Sequence, residues 1–199
     1  MVTLRLATPD DALACVEIYT PNVTSSACSF EQAPPSAHAM AERIQATLTL
    51  APWLVCEHAG AVLGYAYASR HRERAAYRWS VDASVYVHAT SRRLGIAGAL
   101  YESLFALLRA QGFYAVHAGI TLPNAASVSL HESFGFVAVG RTPAVGYKLG
   151  AWHDVGYWQL ALRARQGTPA PTCRLSQLCR DTQLEAALAL GVHRLQIGR

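Results

Sequence analysis

The sequence predicts one α+β domain, and two segments carry most of this prediction. In residues 77–88 every second side chain is apolar, which is typical of a β-strand buried on one face. Residues 95–110 place Leu100, Leu104 and Leu108 on one stripe, as in an amphipathic α-helix. Further strands and helices follow one another without strict βαβ alternation, so a mixed α+β sheet is favoured over a purely parallel one.

The composition is that of a folded globular protein. Of the 199 residues, 52% are hydrophobic and 15% are charged, which excludes an intrinsically disordered chain and allows a sizeable core. The sequence has no uncharged apolar run of about 18 residues, so no transmembrane helix is predicted. Because the N-terminal residues also lack the apolar stretch of a signal peptide, we expect a cytoplasmic protein with no membrane partner.

Charge and cysteine usage exclude two further classes. The formal net charge is +4 and the basic residues are spread along the chain, whereas a nucleic-acid-binding protein needs a concentrated basic face. The five cysteines are irregularly spaced without a C-x-x-C pair, and the eight histidines lack the spacing of zinc ligands. We therefore expect reduced thiols, no metal and no nucleic-acid partner.

The first part of the chain predicts two helices and three strands. Thr8 is a helix N-cap followed by Pro9 and two acidic residues, a favoured helix start. Ala59-Gly60 is a hairpin turn between two apolar runs. The predicted elements are a strand at 2–7, a helix from Thr8 to about Thr20, a loop at 21–35, a helix at about 36–50, and strands at 53–57 and 62–68.

The second part continues the same mixture of strands and helices. After the strand at 77–88 and the helix at 95–110, we predict a strand at 115–121, a helix at 125–134, strands at 136–141 and 152–162, a linker at 163–174 and a helix at about 181–190. The linker contains Gly167-Thr168-Pro169, which marks a break in regular structure. We therefore predict a domain over residues 1–165 and an extension over residues 166–199 that carries half of the net charge.

A glycine-rich basic loop between the strand at 77–88 and the helix at 95–110 predicts an anion site. Its glycines let backbone N–H groups approach a ligand closely, and the helix start adds free donors and a positive dipole end. Such a turn is a pyrophosphate cradle, although it also fits a simple basic helix cap. The spacing matches neither G-x-x-x-x-G-K-[ST] nor G-x-G-x-x-G. The loop comprises Arg92, Arg93, Leu94, Gly95, Ile96, Ala97 and Gly98.

A second motif follows the next predicted strand. Asn124 can cap the helix at 125–134, and His131 lies seven residues on, so both project along one side. The basic loop followed by N-x₆-H-x₃-GF resembles the GNAT superfamily of acetyl-CoA-dependent N-acyltransferases. Residues 92–97 match its Q/R-x-x-G-x-G/A coenzyme A motif with Ala97 in the last place.

Three flanking stretches make the resemblance closer. Residues 52–55, 79–87 and 146–158 resemble the phosphinothricin N-acetyltransferase family, which includes acetyltransferases for methionine sulfone and methionine sulfoximine. The resemblance covers roughly residues 3–162. It implies a mostly antiparallel sheet that splays at its centre, acetyl-CoA as co-substrate, a small-molecule amine as acceptor and a homodimer.

The resemblance also implies how acetyl-CoA is held. The pantetheine enters between the splayed strands and pairs with the backbone of Val85, Tyr86 and Val87, which supplies an oxyanion donor to the thioester. Asn124 and Ser127 contact the pantetheine or phosphate arm, and Asn124 can still cap its helix.

Two residues are catalytic candidates by the same resemblance. Asp82 stands where the family has a Glu that serves as general base. Because Asp is one methylene shorter, a base that acts through a water is favoured, while a structural Asp is the alternative. His131 stands where many superfamily members place a Tyr beside the sulfur, which implies a general acid to the leaving thiolate or a second base, unless it is structural.

The candidate substrate residues precede the central strand or lie in the first loop. Arg72 and Arg74 suit a carboxylate or phosphinate because a guanidinium makes paired hydrogen bonds, although a solvated loop is the alternative. Phe30 is either a substrate wall or a loop anchor. Tyr77 and residues 152–154 line either the pocket or a subunit interface.

The resulting expectation is an N-acetyltransferase for a small amino-acid-like substrate with an anionic group. Acetylation of another amine, such as a protein N-terminus, is the first alternative, and Arg72 and Arg74 disfavour a cationic polyamine. A non-catalytic acetyl-CoA-binding protein is the second alternative, because Asp82 departs from the family pattern.

Overall fold

The computed structural model describes residues 2–178 and 182–197, and the α+β class is confirmed. A seven-stranded sheet in the order β1-β2-β3-β4-β5-β7-β6 is flanked by helices. The strands are β1 (Val2–Leu6), β2 (Trp53–His58), β3 (Ala61–Arg70), β4 (Ser80–Val87), β5 (Ala115–Leu122), β6 (Val137–Lys148) and β7 (Ala151–Ala161). The helices are α1 (Ala12–Thr24), α2 (Ala37–Leu48), α3 (Ile96–Gln111), α4 (Ala125–Ser133), α5 (Leu175–Leu178) and α6 (Gln183–Val192).

The first helix was predicted from Thr8 to about Thr20, and α1 both begins and ends later, at Ala12 and Thr24. A 3₁₀ turn at Pro9–Asp11 leads into α1, which passes through Pro21 and ends at Thr24 rather than near Thr20. Pro21 removes one backbone donor, but the helix gains from Val23, which is 1% exposed. The buried side chain therefore outweighs the signal from the proline, and the predicted loop is shorter at its start.

Two strand boundaries also differ from the prediction. Residues Ala75–Tyr77 form a 3₁₀ turn, so β4 begins at Ser80 and not at residue 77. Strand β6 runs to Lys148 instead of ending at residue 141, because its pairing with β7 resumes after an irregularity between Thr142 and Gly146. A glycine and a proline in this stretch resemble a turn locally, whereas the pairing partner makes it a strand.

The sheet splays at its centre as the resemblance implies. Strands β4 and β5 run parallel and pair only from Ser80–Ala115 to Asp82–His117. Beyond this point β4 continues against β3 as far as Val87, and β5 continues against β7 as far as Leu122. The edges of β4 and β5 therefore diverge and leave a cleft whose walls carry backbone hydrogen-bonding groups.

Two apolar clusters hold this sheet in place. One packs α3 against the sheet around Leu100, Leu104 and Phe105, each at most 1% exposed. The other packs α1 and α2 around Ile44 and Tyr65. Burial on both faces fixes the splayed strands between the two helical layers.

The C-terminal extension contains two helices. Helix α5 is a single turn, and α6 confirms the predicted terminal helix, although Asp181, where the prediction begins, lies outside the described residues. Helix α6 packs on α3. Within residues 2–178 and 182–197, no helix is long and apolar enough to cross a membrane.

Candidate active site

The predicted anion loop forms one wall of a groove between the start of α3 and the side of α4. Gly95 caps α3 with φ +77°, and Arg93 also has a positive φ of 63°, so the turn depends on left-handed backbone conformations. The groove has a volume of about 550 Å³. It is lined by Val85, Val87, Ser91, Arg92, Arg93, Gly95, Ile96, Ala97, Gly98, Ala126, Ser127 and Leu130.

Leu94 is the one member of the predicted loop that does not line this groove. Its side chain packs against the apolar cluster beneath α3. Its carbonyl accepts a hydrogen bond from the N–H of Gln196 at 3.0 Å. Leu94 therefore anchors the loop, while the residues around it face the groove.

A second, central cavity occupies the cleft between β4 and β5. It has a volume of about 160 Å³, and its walls include the predicted residues Val85, Tyr86, Asn124, Ser127 and His131. Val85 and Ser127 also line the groove, so the two spaces adjoin. The Asn124 side chain accepts a hydrogen bond from the Ser127 N–H at 3.1 Å, which confirms its capping role.

His131 is buried at the end of the central cavity. Its Nδ1 lies 2.7 Å from the Ser127 carbonyl oxygen and its Nε2 lies 3.0 Å from the Tyr101 hydroxyl. A carbonyl only accepts, so Nδ1–H donates to Ser127 and Nε2 accepts from Tyr101. Burial lowers the pKa of His131, opposed by the hydrogen bond to Ser127. The geometry and the pKa both favour a neutral imidazole.

Tyr101 is a site residue that the sequence reasoning missed. It lines the central cavity from α3, and burial raises the pKa of its hydroxyl. The phenol therefore stays protonated and donates to His131. In the sequence Tyr101 is one more large residue on the buried stripe of α3. Its hydroxyl becomes part of the site because α3 lies beside α4, where it reaches His131.

A third cavity lies at the point where β4 and β5 part. Its volume is about 560 Å³, and Asp82, Arg72, His71 and His117 line it together with residues of β5, β6 and β7. Ala118 and Gly119 line both this cavity and the central one. The three spaces therefore adjoin one another in order, from the anion loop to Asp82.

Asp82 is held by a histidine that the sequence reasoning did not select. His71 Nδ1 lies 2.8 Å from Asp82 Oδ1. Burial raises the pKa of Asp82, while the hydrogen bond and charge of His71 and the charge of Arg72 oppose the rise. A carboxylate with a raised pKa is a stronger base.

A second histidine completes the cluster around Asp82. His117 pairs with Asp82 in the β4–β5 register, and its ring stacks on His71 with centroids 4.0 Å apart. Burial, together with the positive charges of His71, Arg165 and Arg72, lowers the pKa of His117 to about 4. His117 is therefore neutral at neutral pH. Strand register would have been needed to find it from sequence.

Of the four candidate substrate residues, one lines the Asp82 cavity and the other three lie outside its lining. Arg72 lines the Asp82 cavity, and Tyr77 is exposed with its ring edge-on to His71 at 5.9 Å. Arg74 is exposed and begins the 3₁₀ turn outside that cavity. Phe30 packs over Gly146, where an added Cβ would lie 2.2 Å from its ring. Phe30 therefore contacts β6, and its role as a substrate wall or a loop anchor stays a prediction.

The splayed sheet, the glycine-rich anion loop and the central cavity together define an acyl-CoA N-acyltransferase. The chain matches the acetyltransferase (GNAT) domain family over residues 4–156, and it belongs to that family. It is an acetyl-CoA-dependent N-acetyltransferase.

Three similar proteins indicate which acetyltransferases this chain resembles. The chain is 41% identical to a phosphinothricin N-acetyltransferase from Streptomyces viridochromogenes over 79% of this chain and 86% of the relative. It is 35% identical to an L-methionine sulfoximine/L-methionine sulfone acetyltransferase from Salmonella typhimurium over 81% of this chain and 95% of the relative. The crystal structure of a phosphinothricin acetyltransferase from Sinorhizobium meliloti in complex with AcCoA superposes with a TM-score of 0.81 at 35% identity, covering 85% of this chain and 93% of that one.

Proposed function

We propose that the protein transfers the acetyl group of acetyl-CoA to the amino group of a small amino-acid-like substrate that also carries an anion. The succession of adjoining spaces from the anion loop through the central cavity to Asp82 is the observation that carries this proposal. Phosphates bind at the loop, the thioester lies in the cleft and the amine enters at Asp82. Because relatives are named for phosphinothricin, methionine sulfoximine and methionine sulfone, these three compounds are the substrates that we propose.

Arg72 is the proposed anchor for the substrate anion. It lines the same cavity as Asp82, and its guanidinium can hold a carboxylate or phosphinate by two parallel hydrogen bonds. Binding the anion at Arg72 directs the substrate amine toward Asp82 and the cleft. Arg74 and Tyr77 contribute at the rim, where both are exposed.

Asp82 is the proposed general base. The substrate ammonium loses a proton to Asp82 through a bridging water, which neutralises the carboxylate, and His71 holds Oδ1 in place through its hydrogen bond. The free amine then attacks the thioester carbonyl directly: the N–C bond forms, the C–S bond breaks and coenzyme A leaves as a thiolate. The second proton of the attacking nitrogen passes through solvent to the thiolate, so that the products are the N-acetylated substrate and free coenzyme A. Backbone N–H groups of residues 85–87 stabilise the oxyanion.

His131 and Tyr101 are proposed to act beside the leaving sulfur. Both line the central cavity and are hydrogen-bonded to each other. Because its lowered pKa keeps His131 neutral, a role as second base or hydrogen-bond acceptor is favoured over a role as general acid. The Tyr101 hydroxyl donates the hydrogen bond of this pair and stays protonated.

One experiment tests the function. The purified protein is incubated with acetyl-CoA and a panel of amines, and thiol release is followed. We expect turnover with phosphinothricin, methionine sulfoximine or methionine sulfone. Turnover only with peptide N-termini would favour the alternative acceptor, and acetyl-CoA binding without turnover of any amine would favour a non-catalytic sensor.

We also propose that the protein is a cytoplasmic homodimer. The dimer is supported by an apolar hairpin face on β6 and β7, of which Trp152 is 65% exposed and Tyr147 56% exposed, because large exposed apolar patches mark interaction sites. The hairpin face consists of Val137, Val139, Val145, Tyr147, Leu149 and Trp152. A reducing compartment is supported by the free thiols of Cys15, Cys28, Cys56 and Cys173 among the described cysteines.

A further inference from the structure

Residues 183–197, here called the C-terminal segment, lie outside the family match at residues 4–156 and yet reach the anion loop. The segment consists of α6 and the turn that follows it. Helix α6 packs along α3, the helix that begins at Gly95. The contacts indicate what this segment contributes.

Gly191 docks the segment closely on α3. An added Cβ at Gly191 would lie 2.0 Å from the Ala99 carbonyl oxygen and 2.6 Å from Ser103 Oγ. The Gly191 N–H donates to Ser103 Oγ at 3.2 Å, and Ser103 Oγ donates to the Leu188 carbonyl at 3.0 Å. Only glycine allows this approach, because any side chain would meet the α3 backbone.

The turn after α6 then contacts the anion loop itself. The Gln196 N–H donates to the Leu94 carbonyl at 3.0 Å. The Arg194 carbonyl oxygen lies 2.0 Å from the place of an added Cβ at Gly95. Leu195 is 9% exposed and joins the core beneath. Leu94 and Gly95 are therefore both in direct contact with the C-terminal segment.

The Arg194 side chain links the two helices that form the walls of the groove. Its Nε is ion-paired with Glu102 of α3, and its guanidinium lies 4.9 Å from the ring centroid of Phe134, which follows α4. A polar space of about 310 Å³, lined by Gly95, Gly98 and residues 193–196, adjoins the groove at the two glycines. The nucleotide end of acetyl-CoA is the part that extends past the pyrophosphate.

We propose that the C-terminal segment is part of the acetyl-CoA site: it holds residues 94–98 in the conformation that binds the pyrophosphate, and residues 193–196 form a wall for the nucleotide end. A loop with positive φ at both Arg93 and Gly95 gains affinity when it is ordered before the ligand arrives. Arg194 is a positioning residue, since Glu102 already pairs with it.

The test separates the phosphate end of the ligand from its thioester end. The full chain is prepared as Gly191→Val, which blocks docking, and as Leu13→Val, a control on α1 at a 60% exposed position. Dissociation constants are measured by calorimetry for coenzyme A and for S-acetyl-pantetheine, which lacks the phosphates and the nucleotide. We expect Gly191→Val to weaken coenzyme A binding about tenfold, with S-acetyl-pantetheine binding and the control variant unchanged.

Substitutions at Gln196 and Arg194 test the same contacts if Gly191→Val does not fold. Gln196→Pro removes the donor to Leu94, and we expect it to weaken coenzyme A binding about threefold. Arg194→Lys should bind coenzyme A more tightly than Arg194→Ala, because the lysine keeps the ion pair with Glu102. Unchanged or tighter coenzyme A binding in folded variants, or an equal loss for S-acetyl-pantetheine, would overturn the proposal. None of these measurements depends on the amine substrate.

Discussion

At the residue scale, burial decides how the polar groups of the site behave. His131 and His117 are both driven toward the neutral form because burial lowers their pKa values. Burial raises the pKa of Asp82, and His71 limits the rise through a 2.8 Å hydrogen bond. A partly buried carboxylate beside the neutral imidazole of His117 is suited to accept a proton.

Replacing Asp82 tests the proposed base. We expect Asp82→Asn to lower kcat about 10²- to 10⁴-fold, because the amide has the same shape and cannot accept the proton. The dissociation constant for acetyl-CoA should stay the same, since the anion loop is untouched. Steady-state kinetics and calorimetry measure the two quantities, with the exposed Asp10→Asn as control. Full turnover by Asp82→Asn would remove this residue from the mechanism.

Replacing His71 tests whether its hydrogen bond to Asp82 sets the pKa of that carboxyl group. His71 lowers the pKa of Asp82 through its hydrogen bond and charge. Without it the carboxyl is protonated at higher pH, so the acidic limb of kcat/KM should move to higher pH in His71→Gln. The pH–rate profile measures the shift, and His38→Gln, at an 86% exposed side chain, is the control. A profile identical to that of the wild type would show that His71 does not tune Asp82.

At the scale of secondary-structure elements, an ion pair stabilises the junction between β1 and α1. Arg5 of β1 reaches Asp11 with two hydrogen bonds of 2.7 and 2.8 Å, and the Thr8 N–H donates to the same carboxylate at 2.8 Å. Burial acts to raise the pKa of Asp11, but Arg5 and Thr8 outweigh it and hold the pKa below its usual value. The junction between β1 and α1 is therefore stabilised by an ionised, nearly buried Asp11.

Asp11→Asn should destabilise the fold by about 2 kcal/mol at neutral pH, discounted because Arg5 is partly exposed. A depressed native pKa means that the stabilisation is present above the unfolded pKa of about 3.9 and is lost as pH falls through the native pKa. The difference from wild type should therefore shrink in acid. Urea unfolding at several pH values measures it, with exposed Asp10→Asn as control. A difference independent of pH would contradict this account.

At the scale of the whole molecule, surfaces rather than single groups determine what can associate. The hairpin face exposes aromatic and aliphatic side chains on an edge of the sheet. Its far end lies near the Asp82 cavity, because Val139, Gly140 and Tyr157 line that cavity. A subunit interface at this face would border the substrate site.

The proposed dimer predicts the behaviour of one variant. Trp152→Glu should convert a dimer into a monomer, because it places a charge at the most exposed large residue of the hairpin face. Light scattering coupled to size exclusion measures the mass, and Leu190→Glu on α6 is the matched exposed control. A wild-type monomer at micromolar concentration would contradict the proposal.

Features that depend on neighbours along the chain could be predicted from the residues alone. Helix starts at Thr8 and Asn124, the Ala59-Gly60 turn and the anion loop at residues 92–98 follow from capping, backbone freedom and periodicity. The longer α1 and β6 were missed because Pro21 and the irregular stretch before Gly146 look like breaks until their buried or paired partners are known.

Contacts between side chains that lie far apart in the sequence became evident from the folded chain. His71 and His117 join Asp82 through the β3–β4 and β4–β5 registers, and Tyr101 reaches His131 through the packing of α3 on α4. The C-terminal segment reaches Leu94 and Gly95 in the same way. Local patterns carry no information about register or docking, because long-range packing selects both, and these contacts set the chemistry of the site.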